Sequence, residues 1–285
     1  MGTRTWTIRD VLDWAAQDFS ARGIESARLD AELLVASALG IDRIGLYLDL
    51  NRPRHEKERG AIRPLVARRR DREPVAYILG HRDFFGRRFE VTPDVLIPRP
   101  DTETLVEHAL AQIPVDTPCR VLDVGTGSGA IAVTLAAARP EATITATDIS
   151  EPALEVAKRN ASLHGVLERI GFEHVDLLRA TERYDVVVSN PPYIASAELR
   201  ELQDEVRMHE PDTALEAGED GLDVVRRLLV AAKHATDLGA HLLIEIGAGQ
   251  ARSVVDLATE GNGWERIAVY RDLNRIERVV HLRRI

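Results

Sequence analysis

From about residue 101 onward, segments typical of buried strands alternate with segments typical of helices. Strand candidates lie at residues 120–124, 143–148, 171–175, 184–189, 241–246, 266–270 and 279–282, and the first helices between them at 130–138 and 152–164. Strands that alternate with helices are joined by crossover connections, which produce a mainly parallel sheet. No helical segment separates the last two strand candidates, so we expect the final strand to be antiparallel. The fold class predicted for this region is α/β.

The chain before this region has a different pattern. Residues 1 to about 80 favour a small helical bundle: Thr7 to Asp10 resembles a capping box, and Gly40 stands where a helix end favours glycine. Residues 84–91 alternate and are rich in phenylalanine, which predicts a hairpin, and the prolines of residues 93–100 predict a stiff linker. We therefore divide the chain into a helical domain at 1–82, a hairpin and linker at 83–100, and an α/β domain at 101–285.

Composition excludes several functional classes. The formal net charge of −9 over 285 residues argues against nucleic acid as the main partner. The single cysteine, Cys119, excludes an intramolecular disulfide and agrees with a reducing compartment. Because the sequence shows neither a membrane-spanning stretch nor a signal-peptide core, we expect a cytosolic protein. We also expect the protein to act as a monomer. The nine histidines lack metal-binding spacing, so we expect no metal.

A glycine-rich loop follows the first strand of the α/β region. Residues 121–124 run into Gly125-Thr126-Gly127-Ser128-Gly129 and then into a helical segment, and Asp148 ends the next strand. Glycines let such a turn close, and a carboxylate at the second strand can bind ribose hydroxyls. Gly125, Gly127 and Ala130 also match the G-x-G-x-x-A pattern of NAD-type enzymes. The loop alone therefore leaves open a nicotinamide site, another nucleotide site, or a turn needed only for strand–helix packing.

The tetrapeptide Asn190-Pro191-Pro192-Tyr193 follows the fourth strand candidate directly. Each proline fixes its own φ and holds the preceding residue extended, so the carbonyl oxygens here cannot join a helix. The carboxyl ends of parallel strands form the ligand-binding edge of such a sheet. The Asn190 side-chain oxygen and the backbone carbonyls thus form a rigid set of acceptors, suited to an incoming NH2 group, with Tyr193 beside it. A proline-rich turn that only caps the strand is the alternative.

The two motifs together favour group transfer onto nitrogen over hydride transfer, and they resemble those of S-adenosylmethionine-dependent amino-methyltransferases, which carry a [D/N/S]-P-P-[Y/F/W] tetrapeptide. Further segments narrow this resemblance. Residues 72–80, 96–103, 123–130, 148–150, 189–194, 209–211 and 245–247 are similar to the signature blocks of the release factor glutamine methyltransferases. The resemblance implies a Rossmann-like methyltransferase domain, a helical N-terminal domain that recognises the release factor, and methylation of the glutamine in the Gly-Gly-Gln motif of peptide chain release factors.

The resemblance also implies site residues. For the cofactor S-adenosyl-L-methionine these are Gly125, Thr126, Gly127, Ser128, Gly129, Asp148, Asp176, Leu177 and Asn190. For the substrate they are Asn190, Pro191, Pro192, Tyr193, Phe85, Arg99 and Glu103, of which Asn190, Pro191 and Tyr193 are the expected catalytic residues. Family members can carry an aromatic residue at the position of Leu177, which is aliphatic here.

Two other functions stay open at this point. An adenine N6-methyltransferase acting on DNA also needs acceptors for an NH2 group, but the acidic balance disfavours it. A non-catalytic nucleotide-binding module would not need the Asn190 cluster. The basic stretch at residues 52–72 is either a solvated helix face or a docking face for an acidic protein partner. Its cations are Arg52, Arg54, Lys57, Arg59, Arg63, Arg68, Arg69, Arg70 and Arg72.

Overall fold

A computed structural model describes residues 6–53, 55–180, 182–261 and 263–285. The chain forms two compact units. The first comprises residues 6–80 together with Gln203–His209, and the second comprises His81–Leu202 and Glu210–Ile285. The sequence did not indicate that Gln203–His209, from the middle of the α/β region, belongs with the helical unit.

The helices are α1 (Ile8–Ala21), α2 (Ala27–Leu39), α3 (Arg43–Leu48), α4 (Glu56–Arg70), α5 (Val75–Leu79), α6 (Thr102–Gln112), α7 (Ala130–Ala138), α8 (Glu151–Leu163), α9 (Asp204–His209), α10 (Asp223–His234) and α11 (Ala251–Thr259). The strands are β1 (His81–Phe84), β2 (Arg87–Glu90), β3 (Cys119–Val124), β4 (Ala142–Asp148), β5 (Ile170–His174), β6 (Tyr184–Ser189), β7 (Thr236–Glu245), β8 (Trp264–Arg271) and β9 (Glu277–Arg284). In the described part of the chain, no helix is both long enough and apolar enough to cross a bilayer.

Two helices of the helical unit have the capping residues that the sequence predicts, α1 at its start and α2 at its end. The predicted capping box is confirmed, because the Thr7 hydroxyl accepts from the Asp10 amide while the Asp10 carboxylate accepts from the Thr7 amide. Gly40 ends α2 in the left-handed conformation, with φ of +65°. Between the helices lies an apolar core that includes Leu12, Phe19 and Leu34, all inaccessible to solvent.

A buried arginine holds three helices of this unit together. Arg69 of α4 is 4% exposed and donates to Asp30 of α2 at 2.7 Å and to Glu205 of α9 at 2.8 Å. Arg72 donates to the same Glu205 oxygen at 3.0 Å. A buried guanidinium needs several acceptors, and this arrangement supplies them from separate parts of the chain.

Most cations of the basic stretch are neutralised within the unit. Ion pairs join Arg52 to Asp49, Arg59 and Arg63 to Glu56, Arg68 to Glu73, and Arg70 to Asp18. Arg54 lies outside the described residues. The free positive charge of this surface is therefore smaller than the sequence count of arginines suggests.

We expect Arg69→Met to destabilise the protein by roughly 3–5 kcal/mol, because it leaves the Asp30 and Glu205 carboxylates without their shared cation. Urea denaturation at neutral pH measures this loss. Arg63→Met is the matched control: Arg63 is 65% exposed and pairs with one exposed glutamate, so its loss should change stability by less than about 1 kcal/mol. Equal effects of the two variants would contradict the structural role of Arg69.

The α/β unit is built on one seven-stranded sheet in the order β5-β4-β3-β6-β7-β9-β8. Strands β5, β4, β3, β6 and β7 pair in parallel, and β9 pairs antiparallel with both β7 and β8. The predicted α/β fold, with a mainly parallel sheet and an antiparallel last strand, is confirmed. Apolar cores lie on the sheet, one including Val121, Leu135 and Ile144 and another including Leu122, Val187 and Trp264.

The predicted hairpin forms from β1 and β2, which pair antiparallel from His81 opposite Glu90 to Phe84 opposite Arg87. Phe84 and Phe89 enter the core of the α/β unit. The following segment was predicted to be a stiff linker. In the structure its residues Val95 and Ile97 are buried, so this segment is part of the packed α/β unit.

Three histidines and a tyrosine form a connected cluster in the α/β unit. His281 is 1% exposed, and its ring nitrogens lie 2.9 Å from His241 Nδ1 and 3.1 Å from the Tyr270 hydroxyl. His108 stacks on Tyr270 with ring centroids 3.4 Å apart. Burial, with a smaller contribution from His241 and His108, lowers the pKa of His281 from 6.5 to about 4.

We expect this cluster to make the protein sensitive to acid. The unfolded chain binds a proton at His281 near pH 6.5, whereas the folded protein resists it down to about pH 4, so stability should fall by about 3 kcal/mol across this window. Asp123 and Glu245, whose pKa values burial raises to about 7, act in the opposite direction. The informative quantity is therefore the difference in unfolding free energy between wild type and His281→Gln at pH 7, 6, 5 and 4.5. A difference that is independent of pH would contradict the prediction.

Candidate active site

A cavity of about 350 Å³ lies at the carboxyl ends of β3, β4 and β6. This is the edge at which open α/β sheets bind ligands, and the volume is in the range of small-molecule sites. The cavity is lined by many of the residues predicted from the sequence: Arg99, Gly125, Thr126, Gly127, Ser128, Asp148, Asp176, Leu177, Asn190, Pro191 and Pro192. Gly129, Tyr193, Phe85 and Glu103 are not among its lining residues.

The glycine loop folds back over the end of the neighbouring strand. The amides of Gly125 and Thr126 both donate to the Thr147 carbonyl of β4, each at 2.9 Å. Gly125 and Gly127 have φ of +72° and +54°, which a residue with a side chain rarely adopts. At Gly129 a Cβ would lie 3.0 Å from Cβ of Ala157 on α8. Gly129 thus permits close packing of α8 behind the loop.

Asp148 stands at the cavity wall with its carboxylate fixed by backbone amides. Its Oδ2 accepts from the Gly127 amide and its Oδ1 from the Ser150 amide, both at 2.8 Å. Burial raises its pKa, and hydrogen bonds from the backbone amides of Ser150, Gly127 and Ile149 oppose that shift. A carboxylate has about four acceptor sites on its two oxygens, so Asp148 keeps acceptor capacity beyond these backbone amides. A pair of ribose hydroxyls matches this arrangement.

Asp123 supports the loop from inside the protein. It is fully buried, and its Oδ2 accepts from the Thr126 hydroxyl at 2.7 Å and from the Ala132 amide at 3.1 Å. Its Oδ1 has no hydrogen-bond partner among the residues that the structure describes. Burial raises the pKa of Asp123 to about 7. Asp123 therefore ties the loop to the first turn of α7.

Asp176 and Leu177 follow β5 and reach the same cavity. Leu177 has φ of +63°, and its carbonyl accepts from the Thr147 hydroxyl at 2.5 Å. Asp176 forms an ion pair with Arg227 of α10, which also lines the cavity. The backbone of this turn is thus attached to the strand that holds the glycine loop, and Leu177 adds an aliphatic side chain to the cavity lining.

Asn190, Pro191 and Pro192 follow β6, which lies on the other side of β3 from β4, and they line the cavity there. Ser189, the last residue of β6, donates its hydroxyl proton to the Val124 carbonyl at 2.8 Å, which joins the two strand ends. The Asn190 side-chain NH2 donates to the Thr102 hydroxyl oxygen at 3.2 Å. The amide oxygen of Asn190 takes no part in that bond.

Tyr193 lies behind this wall. Its carbonyl accepts from the Gln250 side-chain NH2 at 2.9 Å, and the Gln250 amide oxygen accepts from the Gly247 backbone at 2.8 Å. A Cβ on Gly247 would lie 3.2 Å from Cδ2 of the Tyr193 ring, so the glycine makes room for that ring. Burial raises the pKa of Tyr193 to about 12. Gln250 therefore fixes the end of the tetrapeptide.

Phe85 and Glu103 are joined to each other, because the Phe85 amide donates to the Glu103 carboxylate at 2.8 Å. Phe85 has φ of +49° in the hairpin turn, a conformation that this hydrogen bond supports. Arg99 of the cavity wall donates to Glu210 at 2.5 Å, and Glu210 also accepts from the Ile97 amide at 3.2 Å. These pairs hold the segment before α6 in place.

Comparison with known proteins places the chain in a family. Residues 10–80 match the model of the PrmC N-terminal domain, and residues 100–218 match that of the methyltransferase small domain. The release factor glutamine methyltransferases of Geobacter sulfurreducens and Cereibacter sphaeroides are each 45% identical to it over 96% of this chain, and over 96% and 97% of their own length respectively. The chain belongs to the release factor glutamine methyltransferase family. The ribosomal protein L11 methylase of Lactobacillus delbrueckii shares the fold, with a TM-score of 0.51 at 19% identity over 71% of this chain and 89% of its own.

Membership in this family decides between the interpretations that the sequence left open. The glycine loop belongs to a methyltransferase, so the nicotinamide interpretation of its G-x-G-x-x-A pattern is wrong. The cofactor prediction, S-adenosyl-L-methionine, is confirmed at the level of the family.

Sequence reasoning assigned no role to several residues that build the site of this methyltransferase. They are Asp123, Thr102, Asn160, Gln250 and Glu245. Asn160, fully buried in α8, accepts from the Glu90 amide and donates to the Ser128 carbonyl, which links the hairpin to the glycine loop. The sequence does contain one indication of this role, because Asn160 is the polar residue on an otherwise apolar face of α8.

We expect Asp148→Asn to weaken binding of S-adenosyl-L-methionine by roughly tenfold or more, since hydrogen bonds to a charged acceptor contribute about 1.5–3 kcal/mol. Isothermal titration calorimetry with the purified protein measures the change. Glu151→Gln, which removes a charge from an exposed position three residues away, is the control and should bind as wild type does. If Asp148→Asn bound S-adenosyl-L-methionine as tightly as wild type does, Asp148 would not be a cofactor-binding residue.

Proposed function

We propose that this protein transfers a methyl group from S-adenosyl-L-methionine to the side-chain nitrogen of the glutamine in the Gly-Gly-Gln motif of peptide chain release factors. The observation that carries the proposal is one cavity whose two walls differ in chemistry. One wall presents the Asp148 carboxylate and the glycine loop, and the other presents the Asn190 tetrapeptide. Relatives that are 45% identical over nearly the whole chain are named release factor glutamine methyltransferases, which supports this substrate.

The cofactor residues fit the group that the family uses. Asp148 would hold the ribose hydroxyls, Leu177 would pack against the adenine, and residues 125–129 would let the cofactor approach the backbone. When bound, S-adenosyl-L-methionine supplies an electrophilic methyl group on a sulfonium. Asp148 ends β4 and Asn190 follows β6, on the two sides of β3, so Asn190 would stand away from the ribose and toward the methyl-bearing end.

An amide nitrogen is a poor nucleophile, because its lone pair is delocalised into the carbonyl. We propose that the Asn190 side-chain oxygen and the Pro191 carbonyl each accept one N–H of the substrate amide and so orient the nitrogen. Pro191 cannot place its carbonyl in a helix, since Pro192 follows it. Two fixed acceptors of this kind position the nucleophile without a strong base.

Asn190 is neutral, which suits this role. Its oxygen accepts a hydrogen bond without a charge that the substrate would have to desolvate. After transfer the substrate nitrogen is cationic and acidic, and its proton can leave to water. Tyr193, whose carbonyl Gln250 holds, would keep the tetrapeptide in the required conformation.

The proposed partner is a release factor, and we expect the chain to act on it in the cytosol as a monomer. The net charge of −9 and the internal pairing of the basic stretch both disfavour a nucleic-acid substrate. Recognition of the release factor by the helical unit is part of this proposal, supported by the match of residues 10–80 to the PrmC N-terminal domain.

We expect Asn190→Ala to bind cofactor nearly as wild type but to lose at least about a hundredfold in kcat, because the substrate nitrogen loses a positioning acceptor. Single-turnover assays with tritiated cofactor, beside calorimetry, separate the two effects. Asn274→Ala, in the exposed turn between β8 and β9, is the control. If Asn190→Ala lost affinity for the cofactor but kept its turnover, Asn190 would bind the cofactor and not the substrate amide, and the proposed role would be wrong.

The substrate itself is tested by offering the protein S-adenosyl-L-methionine with either a release factor or a DNA duplex. Fragmentation mass spectrometry then locates any added methyl group. We expect it on the glutamine of the Gly-Gly-Gln motif. A methyl on adenine in the DNA experiment, or an unmodified glutamine in the release-factor experiment, would refute the proposed function.

A further inference from the structure

Asn160 of α8 is a fully buried side chain to which the methyl transfer described above assigns no part. Its amide oxygen accepts from the Glu90 backbone amide at 2.7 Å. Its NH2 donates to the Glu90 carbonyl at 2.9 Å and to the Ser128 carbonyl at 2.8 Å. Among uncharged side chains, only the carboxamides of asparagine and glutamine supply two donors and an acceptor together. The three backbone groups around Asn160 use all of these.

The bond to Ser128 fixes the peptide group between Ser128 and Gly129. The carbonyl of this peptide accepts from Asn160, and its N–H donates to the Thr126 carbonyl at 2.8 Å. Because both ends are bound, the peptide cannot rotate without breaking a hydrogen bond. Ser128 lines the cavity, whereas its carbonyl binds a fully buried side chain. Asn160 therefore holds this carbonyl toward the interior of the protein.

The helix that carries Asn160 supports the cofactor side of the cavity at two further points. Ala157 lies on the same face as Asn160, and a Cβ at Gly129 would lie 3.0 Å from the Cβ of Ala157. Ser150 is the N-cap of α8, and its amide donates to the Asp148 carboxylate at 2.8 Å. The position of α8 thus sets the positions of both the glycine loop and the carboxylate beside it.

The bonds to Glu90 reach a second part of the cavity lining. Asn160 binds both the N–H and the carbonyl of Glu90, as a neighbouring antiparallel strand would. Glu90 is the last residue of β2, and the chain that follows it lines the cavity with Asp94, Val95 and Leu96. The end of β2 therefore determines where this segment enters the cavity wall.

We propose that Asn160 is a positioning residue for the cofactor: by binding the Ser128 and Glu90 backbones at once, it sets the spacing between the glycine loop and the segment after β2. A cavity whose walls are held before binding does not have to be ordered by the ligand, so affinity is higher. The inference rests on the proposed function, because that function places S-adenosyl-L-methionine in this cavity.

Attachment of the hairpin to α8 does not account for Asn160 by itself, since other side chains provide it. Arg159 donates to the Glu90 carboxylate at 2.9 Å. His164 lies 2.8 Å from the Arg88 carbonyl, and its ring packs on Phe89. Among these contacts of α8 with the hairpin, that of Asn160 is the one that continues to the glycine loop.

The first test measures the affinity for S-adenosyl-L-methionine by isothermal titration calorimetry, well below the unfolding temperature. We expect Asn160→Ala and Asn160→Asp to bind the cofactor about tenfold or more weakly, because each leaves the Ser128 carbonyl without its donor. Asn160→Asp keeps the size of the side chain and the acceptor for the Glu90 amide. If Asn160→Asp does not fold, Asn160→Ser, which has a single donor, replaces it.

Two control variants lie on the same helix. Val156→Ala removes methyl groups from a fully buried residue, so it should lower the unfolding temperature without changing the affinity for cofactor. Arg159→Ala breaks an exposed ion pair with Glu90 and should bind as wild type does. In assays with a release factor, the Asn160 variants should raise KM for the cofactor more than they lower kcat. A purely structural role would lower stability and leave KM unchanged.

The second test does not depend on activity. In ¹⁵N-labelled protein without cofactor, we expect Asn160→Ala to accelerate hydrogen exchange of the Gly129 and Glu90 amides. Exchange at Leu243, a buried residue of the central sheet, reports global stability and serves as the reference within each variant. In Val156→Ala the ratio of Gly129 exchange to Leu243 exchange should stay as in wild type.

The outcomes separate the two proposals. If wild type methylates no release factor, the proposed function fails, while the affinities for cofactor and the Gly129 exchange still decide the inference. Wild-type affinity in both Asn160 variants would overturn the positioning role, and so would a loss of affinity that Val156→Ala reproduces at equal stability. Unchanged Gly129 exchange in Asn160→Ala would also overturn it, because the loop would then be held without this side chain.

Discussion

The Thr147 carbonyl holds the loop on which the rest of the site depends. Strands β3 and β4 pair in parallel with Val124 opposite Thr147, so the chain that leaves β3 passes the end of β4. There the amides of Gly125 and Thr126 both bond to the Thr147 oxygen. This contact brings the Gly127 amide to the Asp148 carboxylate, the next residue along β4. Strand register and two left-handed glycines therefore shape the wall of the cavity that the glycine loop and Asp148 form.

The site also contains groups that reduce stability. Asp123 and Glu245 are both fully or almost fully buried, and each has one carboxylate oxygen without a partner in the described structure. Burial raises both pKa values to about 7, so the charged forms are disfavoured near neutral pH. Proteins commonly tolerate such costs where function requires a polar group in a fixed position. Here Asp123 shapes the glycine loop, and Glu245 ends β7, the strand that pairs with β6 just before Asn190.

The features that the sequence predicted are those encoded by neighbouring residues. Alternation of strands and helices gave the parallel sheet, and the glycine loop and the proline pair marked two strand ends that the fold brings to one cavity. The features that it missed join distant parts of the chain: Asn160 to the hairpin, Gln250 to Tyr193, and Thr102 to Asn190. No local pattern specifies such pairs, because each depends on how helices and strands pack. The count of arginines overestimates the free positive charge of the basic stretch for the same reason, because several of their acidic partners lie on other helices.

The membership of α9 in the helical unit has a consequence for dissecting this protein. The chain passes between the two units at three points, after Gly80, after Leu202 and after His209. A fragment that begins at His81 would carry α9 without Arg69 and Arg72, the cations that neutralise Glu205. A single cut after Gly80 would leave the two pieces joined by those ion pairs. The α/β unit is thus compact but not continuous in sequence. To produce it alone, the first 80 residues must be removed and residues 203–209 must be replaced by a linker.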